Sequence, residues 1–237
     1  MADLVGDAST KAINMALNTQ ALLKAGWKGV FFDAEISNPK IALNKRVLTT
    51  ENIGQAFQDA GVLLEVDYVS IDVDSIDVWL FHGMLSSGYR PRVVTVEYNS
   101  NFPPQMPLAC EKKWAPWQRK SRVFGSSASS INLVAEMFGY QVVEIQKHLD
   151  MFFVRKDVLH SKCTSDSLPS YETLAEGFVG DPVHKWCNAE VAERLVDFPL
   201  ALMGLEKEAK KKAMADVREL NRINTAKGIK PFCDIDS

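Results

Sequence analysis

Between residues 26 and 158 the sequence alternates short apolar, β-branched runs with segments of helical spacing, and three of those runs end on acids. This alternation is the strongest constraint on the fold. Consecutive parallel strands need long crossover connections, and helices supply them. The runs read GVFFDAE at 29–35, VDYVSIDVD at 66–74 and PRVVTVEYN at 91–99. Near-continuous apolar runs suit strands buried on both faces. The expected fold class is α/β: a Rossmann-like, mostly parallel sheet with helices on both faces.

The other elements fit that frame. Residues 11–24 put Ile13, Ala16, Leu17 and Ala21 on helical spacing, and Gly26 ends the helix. A weaker strand, IALNKRVL, follows Asn38 and Pro39. Thr49 or Thr50 then caps a helix over 51–61, stopped by Gly61. Residues 75–88 and 127–138 also read as helices. The prolines of 101–120 mark a long irregular loop. QVVEIQ and MFFVRKDV, joined by KHLD, predict a final antiparallel hairpin.

The character changes near His160. Residues 160–182 read as a polar linker, 183–203 as one or two short helices, and 205–226 as a long amphipathic helix. That divides the chain into an α/β domain at 1–159 and a helical C-terminal extension at 160–237.

Composition narrows the function classes. The formal charge of −3 lacks the basic excess that wrapping a nucleic acid requires. No apolar run reaches the ~18 residues of a membrane span. The start, MADLVGD, has no basic stretch typical of a signal peptide. Cys110, Cys163, Cys187 and Cys233 have no zinc spacing, and no disulfide framework is expected of them. Four free thiols fit a reducing compartment, so the expected setting is cytoplasmic.

Open α/β sheets bind ligands outside the carboxyl ends of their strands. Asp33 and Glu35, Asp72 and Asp74, and Glu97 therefore gather on one edge if the strands are parallel. A carboxylate at the second strand tip can accept both hydroxyl hydrogens of a ribose. Acids at later tips can accept from a substrate hydroxyl or amine, act as a base, or hold a metal. The plainer alternatives are local: Asp74 or Ser75 capping the next helix, and Glu35 as a turn residue.

These segments, in this order, resemble the FkbM-type methyltransferase-like family. The resemblance rests on GWKGVFFDAE (26–35), TTENIGQAF (49–57), DYVSIDVDSIDVW (67–79), RPRVVTVEYN (90–99) and the closing GYQVVEI and FFVRKDV. It implies a class I S-adenosylmethionine-dependent fold with S-adenosylmethionine as cofactor. It implies that Asp33, with Glu35, holds the ribose and that the backbone near Leu48 and Thr49 faces the adenine. Asp72 and Asp74 would line the methyl-donor and substrate end, with Glu97 and Asn99 beside them. Two departures stand out. Only MADLVGDAS precedes the first helix, so most of the first strand is expected to be missing, with Gly6 and Asp7 as the remnant of its glycine loop. The family's glycine after the paired aspartates is Ser75 here.

The assignment is then catalytic Asp72, Asp74 and Glu97, and cofactor-binding Gly6, Asp33, Glu35, Thr49 and Asp72, with no metal ligand assigned. The partner is a small-molecule or sugar-like substrate, with no nucleic acid and no membrane. Two competing functions stand beside methyl transfer: an inactive methyltransferase-like binding module, and a metal-dependent nucleotide-sugar glycosyltransferase using Asp72-x-Asp74. His82 reads as a helix-surface residue. Trp114 and Trp117 read either as pins of their loop or as a cover over substrate.

Overall fold

The computed structural model describes residues 2–5, 19–115, 123–159, 168–176 and 187–235. The chain is α/β with a mixed, mostly parallel main sheet. Its strands are β1 (Ala2–Val5), β2 (Val30–Asp33), β3 (Leu43–Lys45), β4 (Tyr68–Asp72), β5 (Val93–Glu97), β7 (Tyr140–Ile145) and β8 (Asp150–Arg155). They lie in the order β3-β2-β1-β4-β5-β8-β7. β8 runs antiparallel to both β5 and β7, which gives the expected closing hairpin.

β1 corrects the expectation of a missing first strand. Ala2–Val5 forms a strand at the centre of the sheet, parallel to β2 on one side and β4 on the other. Four residues carry too little periodicity to mark a strand locally. Pairing on both sides makes this one. Gly6 and the helical spacing of 11–18 lie outside the described residues, and the helix there is described as α1 (Gln20–Lys24).

Strand alternation sorts the side chains. Phe32, Val69, Ile71, Val94, Val96, Met151 and Phe153 belong to one large apolar core. That core also takes in Phe57 of α2 (Ile53–Asp59), Leu80 and Phe81 of α3 (Asp77–Ser86), and Ile131 and Val134 of α4 (Ala128–Met137). The opposite face carries Phe31, against which Leu23 of α1 packs, and the buried Ser70 and Thr95. The Tyr68 hydroxyl meets Thr95 Oγ1 at 2.7 Å on that face. Asp72 and Glu97 continue this polar row to the carboxyl edge.

α3 meets the loop that leads into α2 through a glycine. A Cβ on Gly83 would stand 2.6 Å from the Thr50 carbonyl oxygen and 3.0 Å from its Cα. Backbone cannot yield there as a flexible side chain could. Gly83→Ala is therefore expected to lower the melting temperature by roughly 3–10 °C in thermal unfolding followed by circular dichroism.

A second, smaller core changes the picture of the C-terminal part. β6 (Leu108–Cys110) lies inside the stretch expected to be irregular and pairs antiparallel with β9 (Leu195–Asp197). The stretch 183–203, expected to be helical only, holds α6 (Ala189–Ala192), β9 and α7 (Phe198–Leu202). Three-residue strands cannot be separated from turns by pattern alone. Described residues 168–176, within the expected linker, carry α5 (Tyr171–Glu176). The expected long helix is α8 (Glu206–Ala226), whose Ala213 and Val217 pack with Phe102, Leu108, Leu195 and Phe232. Val196, Phe198 and Ala209 reach into the main core.

The cysteine expectation fails here. Cys187 and Cys233, 46 residues apart, form a disulfide. Asn221 on α8 reinforces it: its Nδ2 donates to the Cys233 carbonyl, and its Oδ1 accepts from the backbone N–H of Phe232 and Cys233. No local spacing marks such a pair; only the second core brings the two cysteines together. Cys110 is a buried free thiol, and Cys163 lies outside the described residues. Among the described residues no helix is long and apolar enough to cross a membrane.

Candidate functional site

Three parallel strands end on acids at the same edge: Asp33 on β2, Asp72 on β4 and Glu97 on β5. β8 enters from the opposite direction and adds Asp150, whose register partner is Glu97. The three residues expected to be catalytic do come together. Asp72, Asp74 and Glu97 each offer a carboxylate oxygen, and these oxygens lie within 4.8 Å of one another. Carboxylates so placed are the ligand type of a hard divalent cation, and they equally suit an organic cation.

The turn between β4 and α3 is organised by a residue the sequence reading passed over. Asp77, 2% exposed, accepts the backbone N–H of Val73 at 2.7 Å and of Ser75 at 3.0 Å. It thereby holds the turn that carries Asp74. Neither Asp74 nor Ser75 caps α3 through its side chain; the first-turn Asp77 reaches back instead. The left-handed conformation falls on Asp74, with φ 58°. The position after it, Ser75, therefore does not require a glycine's conformational freedom. Its hydroxyl donates to the Ala115 carbonyl at 3.0 Å and accepts the Ala115 N–H at 3.1 Å.

Crowding the carboxylates raises their proton affinity. Burial, then the charges of Asp77, Asp72, Asp74 and Asp150, push Glu97 up to about 10. Its Oε2 is buried and has no hydrogen-bond partner among the described residues. Burial and Asp72 push Asp77 up to about 7 and Asp150 up to about 6. At neutral pH Glu97 holds its proton. Crowded carboxylates of this kind favour a positive group over an anion.

The Asp33 end differs. Asp33 is 2% exposed, and its Oδ1 accepts the N–H of Glu35 at 2.7 Å and of Ile36 at 2.9 Å. Its Oδ2 is buried with no hydrogen-bond partner among the described residues. An acceptor with two fixed backbone donors on one oxygen and none on the other is set up for a donor from a ligand. Glu35 supplies its N–H to this turn while its side chain is exposed. Thr49 and Asn52 bond each other in the turn ahead of α2, Thr49 N–H to Asn52 Oδ1 and Asn52 N–H to Thr49 Oγ1, and the helix begins at Ile53 rather than at Glu51.

Other residues fall nearby or elsewhere. Asn99 Oδ1 accepts from the backbone and the side chain of Asn101, so it shapes the loop after β5. His148, in the β7–β8 turn, has φ 64° and its Nδ1 lies 2.8 Å from Ser100 Oγ. His82 sits on α3, where burial holds its imidazole below the usual range, and its ring contacts Phe138. Asp77 and Asp150 are the acids that sequence reasoning missed. The third aspartate of IDVDSID was the available signal for Asp77; Asp150 becomes visible only through the hairpin register.

Comparison with protein-family models, with curated proteins and with solved structures gives no match. The functional reading therefore rests on the edge itself.

Proposed function

We propose that the chain is an S-adenosylmethionine-dependent methyltransferase, FkbM-like and Rossmann-like in architecture, acting on an oxygen or nitrogen nucleophile of a small-molecule or sugar-like acceptor. The observation that carries this is Asp33 Oδ2, a buried acceptor without a donor at the tip of the second strand. It fits a ribose hydroxyl. The strand order supports the same reading. From β1 the chain moves outward to β2 and β3, then returns to β4 and β5 on the other side. The crevice at that reversal is where open sheets take nucleotides, and Asp33 and Asp72 flank it.

The residues fit the cofactor in charge as well. A sulfonium is cationic, and the Asp72–Asp74–Glu97 cluster is short of positive charge. When bound, the cofactor supplies an electrophilic methyl group. Asp72 and Asp74 orient the acceptor and take its proton. Glu97, which holds its own proton, donates a hydrogen bond rather than acting as base. Catalysis on this edge is chiefly positioning.

A second reading has its own observation. Three carboxylates within 4.8 Å also suit a divalent cation against a diphosphate, as in a nucleotide-sugar glycosyltransferase. The inactive-module reading drew on an absent first strand, and Ala2–Val5 forms one; the loop that follows it lies outside the described residues. The Cys187–Cys233 disulfide favours an oxidising compartment over the cytoplasmic setting drawn from the thiols. Calorimetric titration with S-adenosylhomocysteine in EDTA separates the transferases. Methyl transfer predicts binding unchanged by EDTA. Binding of a UDP-sugar that requires Mn²⁺, with none of S-adenosylhomocysteine, overturns it.

A further inference from the structure

The turn that carries Asp74 is held from two sides. From within, Asp77 accepts the N–H of Val73 and of Ser75, the residues on either side of Asp74. From outside, the buried Ser75 hydroxyl is bonded twice to one residue far along the chain. It donates to the Ala115 carbonyl at 3.0 Å and accepts the Ala115 N–H at 3.1 Å. Between these fixed neighbours Asp74 takes its left-handed φ of 58°, an uncommon state for a residue with a side chain, and one that surrounding contacts must maintain.

Ala115 can serve as an anchor because residues 111–115 are fastened to the second core. Glu111 N–H donates to the Arg194 carbonyl at 2.8 Å, and the Glu111 carboxylate pairs with Lys210 of α8 at 2.9 Å. Arg194 Nη2 donates to the Lys113 carbonyl at 3.4 Å, and Lys112 is ion-paired with Glu51 ahead of α2. These fastenings are polar. Trp114 is 52% exposed and does not pin the segment to the core; Trp117 lies outside the described residues. The contacts thus run without a break from α8 and the start of β9, through 111–115, to Ser75 and Asp74. We infer that Ser75 is a positioning residue for Asp74, and that through it the second core keeps the Asp74 carboxylate within 4.8 Å of those of Asp72 and Glu97. That Asp74 takes a proton from an acceptor rests on the methyltransferase reading; where its carboxylate stands does not.

The position of Asp74 can be read through Glu97. Burial first, then the charges of Asp77, Asp72, Asp74 and Asp150, raise the proton affinity of Glu97, so withdrawing the Asp74 carboxylate lowers it. Carboxyl ¹³C NMR of glutamate-labelled protein, with the Glu97 signal assigned by its loss in Glu97→Gln, is followed from about pH 5 to about pH 11 in wild type, Ser75→Ala and Arg194→Ala. The Glu97 midpoint is expected to fall by roughly half to one pH unit in Ser75→Ala. It is expected to fall by less in Arg194→Ala, whose partly exposed side chain is bonded to the 111–115 segment. Removing a cation would by itself move a carboxylate midpoint upward, the opposite sign. Hydrogen bonds that only stabilised the fold would lower the melting temperature on loss and leave the midpoint in place. Arg194→Ala keeps the test open if Ser75→Ala does not fold. An unchanged midpoint in a folded Ser75→Ala, or none below about pH 11 in any of the three proteins, overturns the positioning role. A fall in Ser75→Ala with none in Arg194→Ala overturns the part assigned to the second core. Calorimetric titration of the same proteins with S-adenosylmethionine judges the other reading separately. No binding to wild type removes methyl transfer, while the midpoints still decide the role of Ser75.

Discussion

Replacing Glu97 by glutamine is expected to raise the melting temperature by roughly 5–10 °C at pH 8 and to change it little near pH 4.5. The folded protein holds the Glu97 proton up to about 10, against an ordinary value of 4.5. The unfolded chain releases that proton near 4.5. Between these values the folded state binds more protons, so stability falls as pH rises, by at most about 1.4 kcal/mol per pH unit for one group. The contribution is fully favourable below the unfolded value and is lost as pH climbs through the folded one. Asp77 and Asp150 add shorter windows, ending near 7 and 6. Glutamine has no proton to lose, so the variant falls less steeply than wild type between pH 5 and 7, where Asp77 and Asp150 still titrate, and flattens above about pH 7 while wild type keeps falling. Circular dichroism melts from pH 4.5 to 9 read both slopes. Parallel profiles for wild type and variant would show that Glu97 ionises normally, and the crowded-carboxylate account would fail.

Reduction of the Cys187–Cys233 bond is the second large effect. It closes a loop across 46 residues of separation, and a link of that span is worth about 4 kcal/mol in the chain-entropy account. Urea unfolding with and without a phosphine reductant is expected to differ by about 2–4 kcal/mol. The loss is expected first in the second core, where Phe232 and Cys233 depend on Asn221 and Asp234 N–H donates to the Cys187 carbonyl. Hydrogen exchange should speed up around residues 187–192 and 232–235 before it does in β4 or β5. A Cys187→Ala, Cys233→Ala double variant should reproduce the shift and ignore the reductant. Equal stability in both conditions would mean that the two cysteines are not bonded in solution.

The main sheet was largely legible because its strands carry their own signal. Tyr68–Asp72 and Val93–Glu97 are runs of buried β-branched residues that end on acids, and helices with clear stops lie between them. The carboxyl-edge cluster of Asp72, Asp74 and Glu97 follows from that order and from parallel pairing. What escaped depends on distant partners. β1 is four residues long and is made a strand by pairing on both sides. β6 and β9 have three residues each and exist through each other. The disulfide needs the second core before its cysteines can meet. At the site, Asp77 works through backbone N–H groups of the preceding turn, and Asp150 joins through an antiparallel register. Neither arrangement leaves a motif. Ser75 stands in the sequence only as a departure from glycine, whereas its hydroxyl bonds both the carbonyl and the N–H of Ala115.

The central claim is that Asp33, whose buried Oδ2 has no donor among the described residues, binds the ribose of an adenosyl cofactor. Calorimetric titration of wild type and Asp33→Ala with S-adenosylmethionine, without metal, tests it most directly. The account predicts micromolar binding to wild type and a loss of at least roughly tenfold in the variant, the cost of removing an acceptor from a buried hydrogen bond. Equal affinity in the two folded proteins, or no binding to wild type at millimolar ligand, would contradict it.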